Sequence, residues 1–93
     1  FDDIPRGLPA LMRSAKLLGR VEILSDGDLD SLLSDMKEGL KRFDQKSDLQ
    51  IQHDALGTFL FDIVRLSILL DCDAETTLRE ANFQFEKNKS ALL

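Results

Sequence analysis

The chain has 93 residues, 43% of them hydrophobic, with 17 acidic and 12 basic side chains giving a formal charge of −5. A length of this order makes one domain whose folding hides only roughly 60 to 65% of the surface of the unfolded chain, so its own core is modest and self-association is the expected way to complete it. The acidic balance excludes a protein that binds nucleic acid through its phosphates, because nothing neutralises a run of them, although a free nucleotide held through a divalent cation is compatible with it.

Periodicity predicts four helices and no strand, an all-α fold. The first follows the breaker cluster Ile4-Pro5-Arg6-Gly7 and spans Leu8 to Gly19, with Pro9 in its first turn and Gly19 as its C-terminal cap. Its inner stripe is Leu8, Leu11, Met12, Ala15 and Leu18. The second helix opens after Ser25-Asp26-Gly27 and spans Asp28 to Phe43, with Leu29, Leu32, Leu33, Met36, Leu40 and Phe43 on one stripe. Gly39 sits inside it at about 1 kcal/mol relative to alanine. A short polar turn over Asp44 to Lys46 makes the second and third helices antiparallel neighbours, and Ser47 or Asp48 caps the third.

That third helix, Leu49 to Leu70, is apolar around most of its circumference, while Asp54, Thr58, Asp62 and Arg65 fall within an arc of about 80°. Such a helix is expected at the centre of the fold, its polar stripe facing water, a polar cavity or a partner's charges. Asp71-Cys72-Asp73 ends it, and Asp73 caps a fourth helix with Ala74, Leu78, Ala81, Phe85 and Leu92 along its inner edge. Glu75 near the start of that helix and Lys87 and Lys89 near its end suit the helix dipole. Phe83 lies off the inner stripe and is expected to touch a partner.

The lone cysteine, Cys72, has no intrachain disulfide partner and reads as a small half-buried residue rather than a reactive thiol. His53, the one histidine, has no second ligand beside it and reads as solvated or locally bonded. With no secretory leader and no apolar run of about 18 residues, the expected setting is the cytoplasm, without a membrane span. Because it opens on Phe1 rather than methionine, the chain is expected to be a single domain, residues 1–93, cut from a longer protein.

Three blocks in this order carry a resemblance: Leu8-Pro9-Ala10-Leu11-Met12-Arg13-Ser14-Ala15-Lys16-Leu17, then Leu56-Gly57-Thr58-Phe59-Leu60-Phe61, then Ala81-Asn82-Phe83-Gln84-Phe85-Glu86-Lys87. Together they resemble the MazG-like nucleoside triphosphate pyrophosphohydrolases, the first block looking like the opening of the second MazG domain in two-domain members. The resemblance covers nearly the whole chain. It implies a four-helix MazG-like bundle completed by oligomerisation, as a dimer or tetramer, and an activity that splits nucleoside triphosphates into monophosphate and pyrophosphate with magnesium. Hard oxygen ligands would hold that ion, which neutralises phosphate charge and lowers the pKa of the attacking water.

The family's acidic signature is a Glu-Glu-x-x-Glu motif on one helix and Glu-x-x-Asp before Leu-Leu-Phe on the next. Carried onto this chain, the first falls on Glu38, Gly39 and Arg42 and the second on Ala55 and Thr58, so that Glu38 alone is retained. Arg42 puts a guanidinium that cannot deprotonate where a carboxylate would stand. On the fourth helix Asn82 and Phe85 remain, Gln84 replaces a lysine, and Lys87-Asn88 an arginine pair, leaving Asn82 and Lys87 as the residues that would contact a nucleotide or phosphate. The family's Gly-Phe-Asp-Trp segment is replaced by Val21-Glu22-Ile23-Leu24.

Two expectations follow. In the first, the helical fold is kept, magnesium-dependent hydrolysis is lost, the chain has neither catalytic residue nor cofactor, and it serves as a dimerisation or regulatory module; Asp62 then pairs with Arg65 or Arg42, and Asp54 and Glu38 face solvent. In the second the enzyme is active with relocated ligands, Asp35, Glu38, Asp54 and Asp62 supplying oxygens to magnesium and Thr58 a neutral one, or with acids from a neighbouring domain.

Overall fold

A computed structural model describes residues 1–22, 24, 27–44, 46 and 48–90. Among them are four helices and no strand: α1 over Ala10–Val21, α2 over Asp28–Leu40, α3 over Leu49–Leu69 and α4 over Ala74–Ser90. The helix α3 packs against all three others, so the most apolar helix is the hub. At its centre Val64 meets the core together with Leu18 of α1, these being the two largest wholly buried side chains, with Leu32 and Met36 of α2 and Ala55 of α3 buried beside α3's other flank.

The boundaries of α1 differ from those expected. Pro9 is the residue before the helix, extended at φ −51° and ψ 142°, and its carbonyl accepts the N–H of Arg13 at 2.9 Å. Gly19 is an ordinary interior residue rather than a cap, since the helix runs on to Val21 and stops where Glu22 turns extended. The added turn brings Arg20 to an ion pair with Asp3. That pair clamps the N-terminal segment, whose Ile4 is 3% exposed and belongs to the core, although an isolated apolar residue among breakers has no periodicity to reveal it.

Helix α2 is shorter than expected. After Leu40 the N–H groups of Lys41, Arg42 and Phe43 donate to carbonyls only three residues back, at 3.2, 3.1 and 3.2 Å, so the chain tightens into a 3₁₀-type turn before reaching Phe43. Phe43 still packs edge-to-face on Phe59 of α3, with ring centres 6.1 Å apart. The expected opening residues Ser25 and Asp26 lie outside the described residues, as does Ser47. Asp48 caps α3, its Oδ1 accepting the N–H groups of Gln50 and Ile51 at 2.7 and 3.2 Å.

The end of α3 is a Schellman turn. Asp71 N–H donates to Ile68 O at 3.1 Å and Cys72 N–H to Ser67 O at 2.8 Å, with Asp71 in the left-handed region at φ 55°. Glycine is the usual residue there because a Cβ is disfavoured, by about 1 kcal/mol or more. We therefore expect Asp71→Gly to stabilise the fold by about 0.5–1 kcal/mol, and Asp71→Val, branched at Cβ, to destabilise it by more than that; thermal denaturation of the two variants against the parent measures both.

Asp73 then caps α4, its Oδ2 accepting from Thr76 Oγ1 at 2.6 Å and Thr76 N–H at 3.0 Å, and these bonds hold its carboxyl below the usual range. The inner edge expected for α4 is corrected by the structure. No described residue of α4 is buried: Ala74 is half-buried, Leu78, Ala81 and Phe85 are exposed, and Leu92 lies outside the described residues. The reason is geometric, since α4 meets α1 and α3 along its first half and then projects. The radius of gyration, 15.7 Å, is accordingly larger than the roughly 12 Å of a compact chain of this length. Among the described residues no helix is long and apolar enough to cross a membrane.

Candidate functional site

Residues three or four apart on a helix share a face. Asp35, Glu38, Gly39 and Arg42 on α2 and its terminal turn therefore confront Ala55, Thr58, Phe59 and Asp62 on α3, across a cavity of about 280 Å³. All five positions onto which the acidic signature was carried line this one cavity, and Asp35 and Asp62 line it with them. Asp54 does not: it is exposed, its Oδ1 accepting from Gln50 Nε2 at 2.9 Å and standing 3.4 Å from the exposed His53.

The electrostatics of the cavity are set by arginines as much as by acids. Asp62, whose side chain is 14% exposed, accepts from Arg65 Nη1 at 2.6 Å. The same guanidinium donates from Nε and Nη2 to both oxygens of Glu22, at 3.0 and 2.9 Å, and its carbon lies 4.9 Å from the centre of the Phe61 ring. These bonds hold the Glu22 carboxyl below its ordinary value, and the bond to Glu22 raises Arg65 above its own. Glu22 was not anticipated as a partner: 43 positions separate it from Arg65, and no spacing rule spans that interval. Glu38 is exposed and paired with Lys41, at 3.0 Å. Arg42, on the cavity wall, has no ion pair with any described carboxylate.

Magnesium requires several hard oxygens converging at near-octahedral geometry. Among the described residues no three acidic, histidine or cysteine side chains are grouped so as to hold a metal ion. Asp62 is drawn to Arg65, Glu38 to Lys41, and Arg42 adds a fixed positive charge that repels a cation within about 4 Å by several kcal/mol where screening is partial. The residues present do not fit the ion.

The other sequence candidates are dispersed. Asn82 and Lys87 are exposed on α4, about 140° apart around its axis, and neither lines the α2–α3 cavity. Cys72 is exposed rather than half-buried, because the left-handed turn at Asp71 swings it out of α3; its Sγ stands 3.5 Å from Leu70 O. A second concavity escaped the sequence reading. It holds about 390 Å³ between α1, α3 and α4 and is almost wholly apolar, with Leu11, Leu60, Ile63, Leu66, Leu70 and Leu78 among its walls. Its only advance signal was the surplus of apolar residues around α3.

No protein-family model matches this sequence, and no curated protein matches it.

Proposed function

We propose that this chain is a MazG-like helical domain that keeps the associating helices of that fold, has lost magnesium-dependent hydrolysis, and serves as a dimerisation or regulatory module. The observation that carries the reading is the lining of the α2–α3 cavity, where the resemblance calls for five carboxylates and this chain supplies Glu38, Gly39, Arg42, Ala55 and Thr58. A cavity of the right placement with an arginine on its wall and its deepest acid tied to Arg65 supports retention of the fold without retention of the metal. The exposed apolar surface of α3 supports association. Purified protein incubated with a panel of nucleoside triphosphates and about 10 mM Mg²⁺, well above ordinary affinity for that ion, is expected to release pyrophosphate no faster than buffer.

One observation favours a second reading, in which the domain is an active pyrophosphohydrolase with relocated ligands: Asp35, Glu38, Thr58 and Asp62 share the same cavity. Pyrophosphate release that disappears in Glu38→Ala or Asp62→Ala would establish it and overturn the first.

A further inference from the structure

The folded chain exposes 7386 Å² for a mass of 10.5 kDa. A compact monomer of that mass exposes roughly 5,400 Å², so about 2,000 Å² is left uncovered, on the scale of what one subunit hides in a large permanent dimer interface.

Two exposed apolar faces form part of that surface. On α3, Leu49, Leu56 and Leu60 fall within about 40° of one another and are 84%, 51% and 48% exposed. On α4, the face of Ala74, Leu78 and Ala81 that meets α1 and α3 continues to Phe85, which is 63% exposed because α4 has by then left the body of the molecule. The faces belong to one surface, since Leu60 and Leu78 both line the apolar concavity between α1, α3 and α4. Their lengths agree: the projecting stretch from Ala81 to Ser90 is about 14 Å long and the bare stretch from Leu49 to Leu60 about 16 Å.

We propose that the projecting half of α4 in one copy, anchored by Phe85, lies along the Leu49–Leu56–Leu60 face of α3 in a second copy, and the reverse. Both halves of the contact are present on every chain, which is the condition for a two-fold arrangement that closes on itself and leaves no stripe open. Phenylalanine is also enriched at the buried centres of interfaces, where its large apolar area contributes most. The arrangement rests on the association part of the function proposed above and specifies the surface that performs it.

Sedimentation equilibrium of the whole chain at about 1–100 μM, a window that reads dissociation constants of micromolar order directly, tests it together with a cross-link. The parent protein is expected to be dimeric. Phe85→Asp is expected to weaken the dimer at least 100-fold with the helical circular dichroism unchanged, because Phe85 is largely exposed within its own chain. In a Cys72→Ser background, Leu56→Cys with Lys89→Cys, one turn beyond Phe85 on the same face and leaving that anchor in place, should oxidise to a disulfide-linked dimer. A monomeric parent overturns both this arrangement and the association reading. A dimer indifferent to Phe85→Asp but dissociated by Ile63→Asp overturns the α4 contact and leaves association standing. A disulfide formed within one chain means that α4 closes on its own α3 and likewise overturns the proposal.

Discussion

Arg65→Met is expected to cost about 2 kcal/mol of folding stability, or roughly 10 °C in melting temperature for a domain of this size. Methionine keeps an apolar stem against α3 but removes every donor from two carboxylates, Glu22 and Asp62, whose side chains are 30% and 14% exposed. The cost lies between that of an exposed pair, worth under about 1 kcal/mol, and that of a fully buried one broken from one side, at about 3–5 kcal/mol. Glu22→Gln removes one charge and keeps one acceptor, so about 1 kcal/mol is expected for it. The pH dependence gives an independent reading of the same contact. Glu22 is held below its ordinary value of 4.5, so the stability it contributes is complete above that pH and is lost as pH falls through its lowered value in the folded protein. Arg65 is raised above its ordinary value, chiefly by its bond to Glu22, so its contribution is present through the acidic and neutral range and is lost only in strong alkali. Stability should therefore fall on acidification below about pH 4.5 in the parent and fall less in either variant. Urea titrations at pH 7 and pH 3.5 measure both effects; a loss under 0.5 kcal/mol for Arg65→Met, or an unaltered acid slope, would show that the network is a surface ornament.

The same network shows where sequence reading reaches its limit. Helix number, the centrality of the third helix, and the caps at Asp48 and Asp73 were all legible, because each depends on residues within one or two turns of one another. The faces that meet there follow from helical spacing, which puts Asp35, Glu38 and Arg42 on one side and Ala55, Thr58 and Asp62 on another, but the cavity between them was not anticipated, and Asp54, expected among its oxygens, lies outside it. What was not legible depends on how elements meet at a distance. Ile4 is core in a segment that has no periodicity to reveal it, and Glu22 meets Arg65 where α1 ends two residues beyond the glycine that was expected to cap it. The inner edge assigned to α4 failed for the same reason: Ala74, Leu78, Ala81 and Phe85 do lie on one stripe, but the stripe specifies a face and not what covers it. Among the described residues the Lys89 ammonium stands 5.7 Å from the centre of the Phe85 ring, which is still 63% exposed.

If the cavity lost its cation for want of oxygens and because of Arg42, restoring the charges should restore the response to magnesium. Gly39→Glu, Arg42→Glu and Thr58→Asp together return three carboxylates to the lining beside Asp35, Glu38 and Asp62. A Cβ at Gly39 meets no atom within 4 Å, so that side chain has room, whereas Ala55 is 7% exposed and is better left alone. The crowded acids repel one another, so the triple variant is expected to be less stable than the parent in a chelator and to recover on adding the ion. With a dissociation constant of about 1 mM, 10 mM Mg²⁺ contributes about 1.4 kcal/mol, a rise of roughly 6–10 °C, against less than about 1 °C for the parent in the same titration and for either protein in sodium chloride of equal ionic strength. The double variant that keeps Arg42 separates the two causes. If it responds as fully as the triple variant, the guanidinium is not the obstacle and the shortage of oxygens alone explains the loss. If the parent itself rises by several degrees and Asp62→Ala abolishes the rise, the cavity already holds the ion, and the relocated-ligand enzyme becomes the better account of this domain.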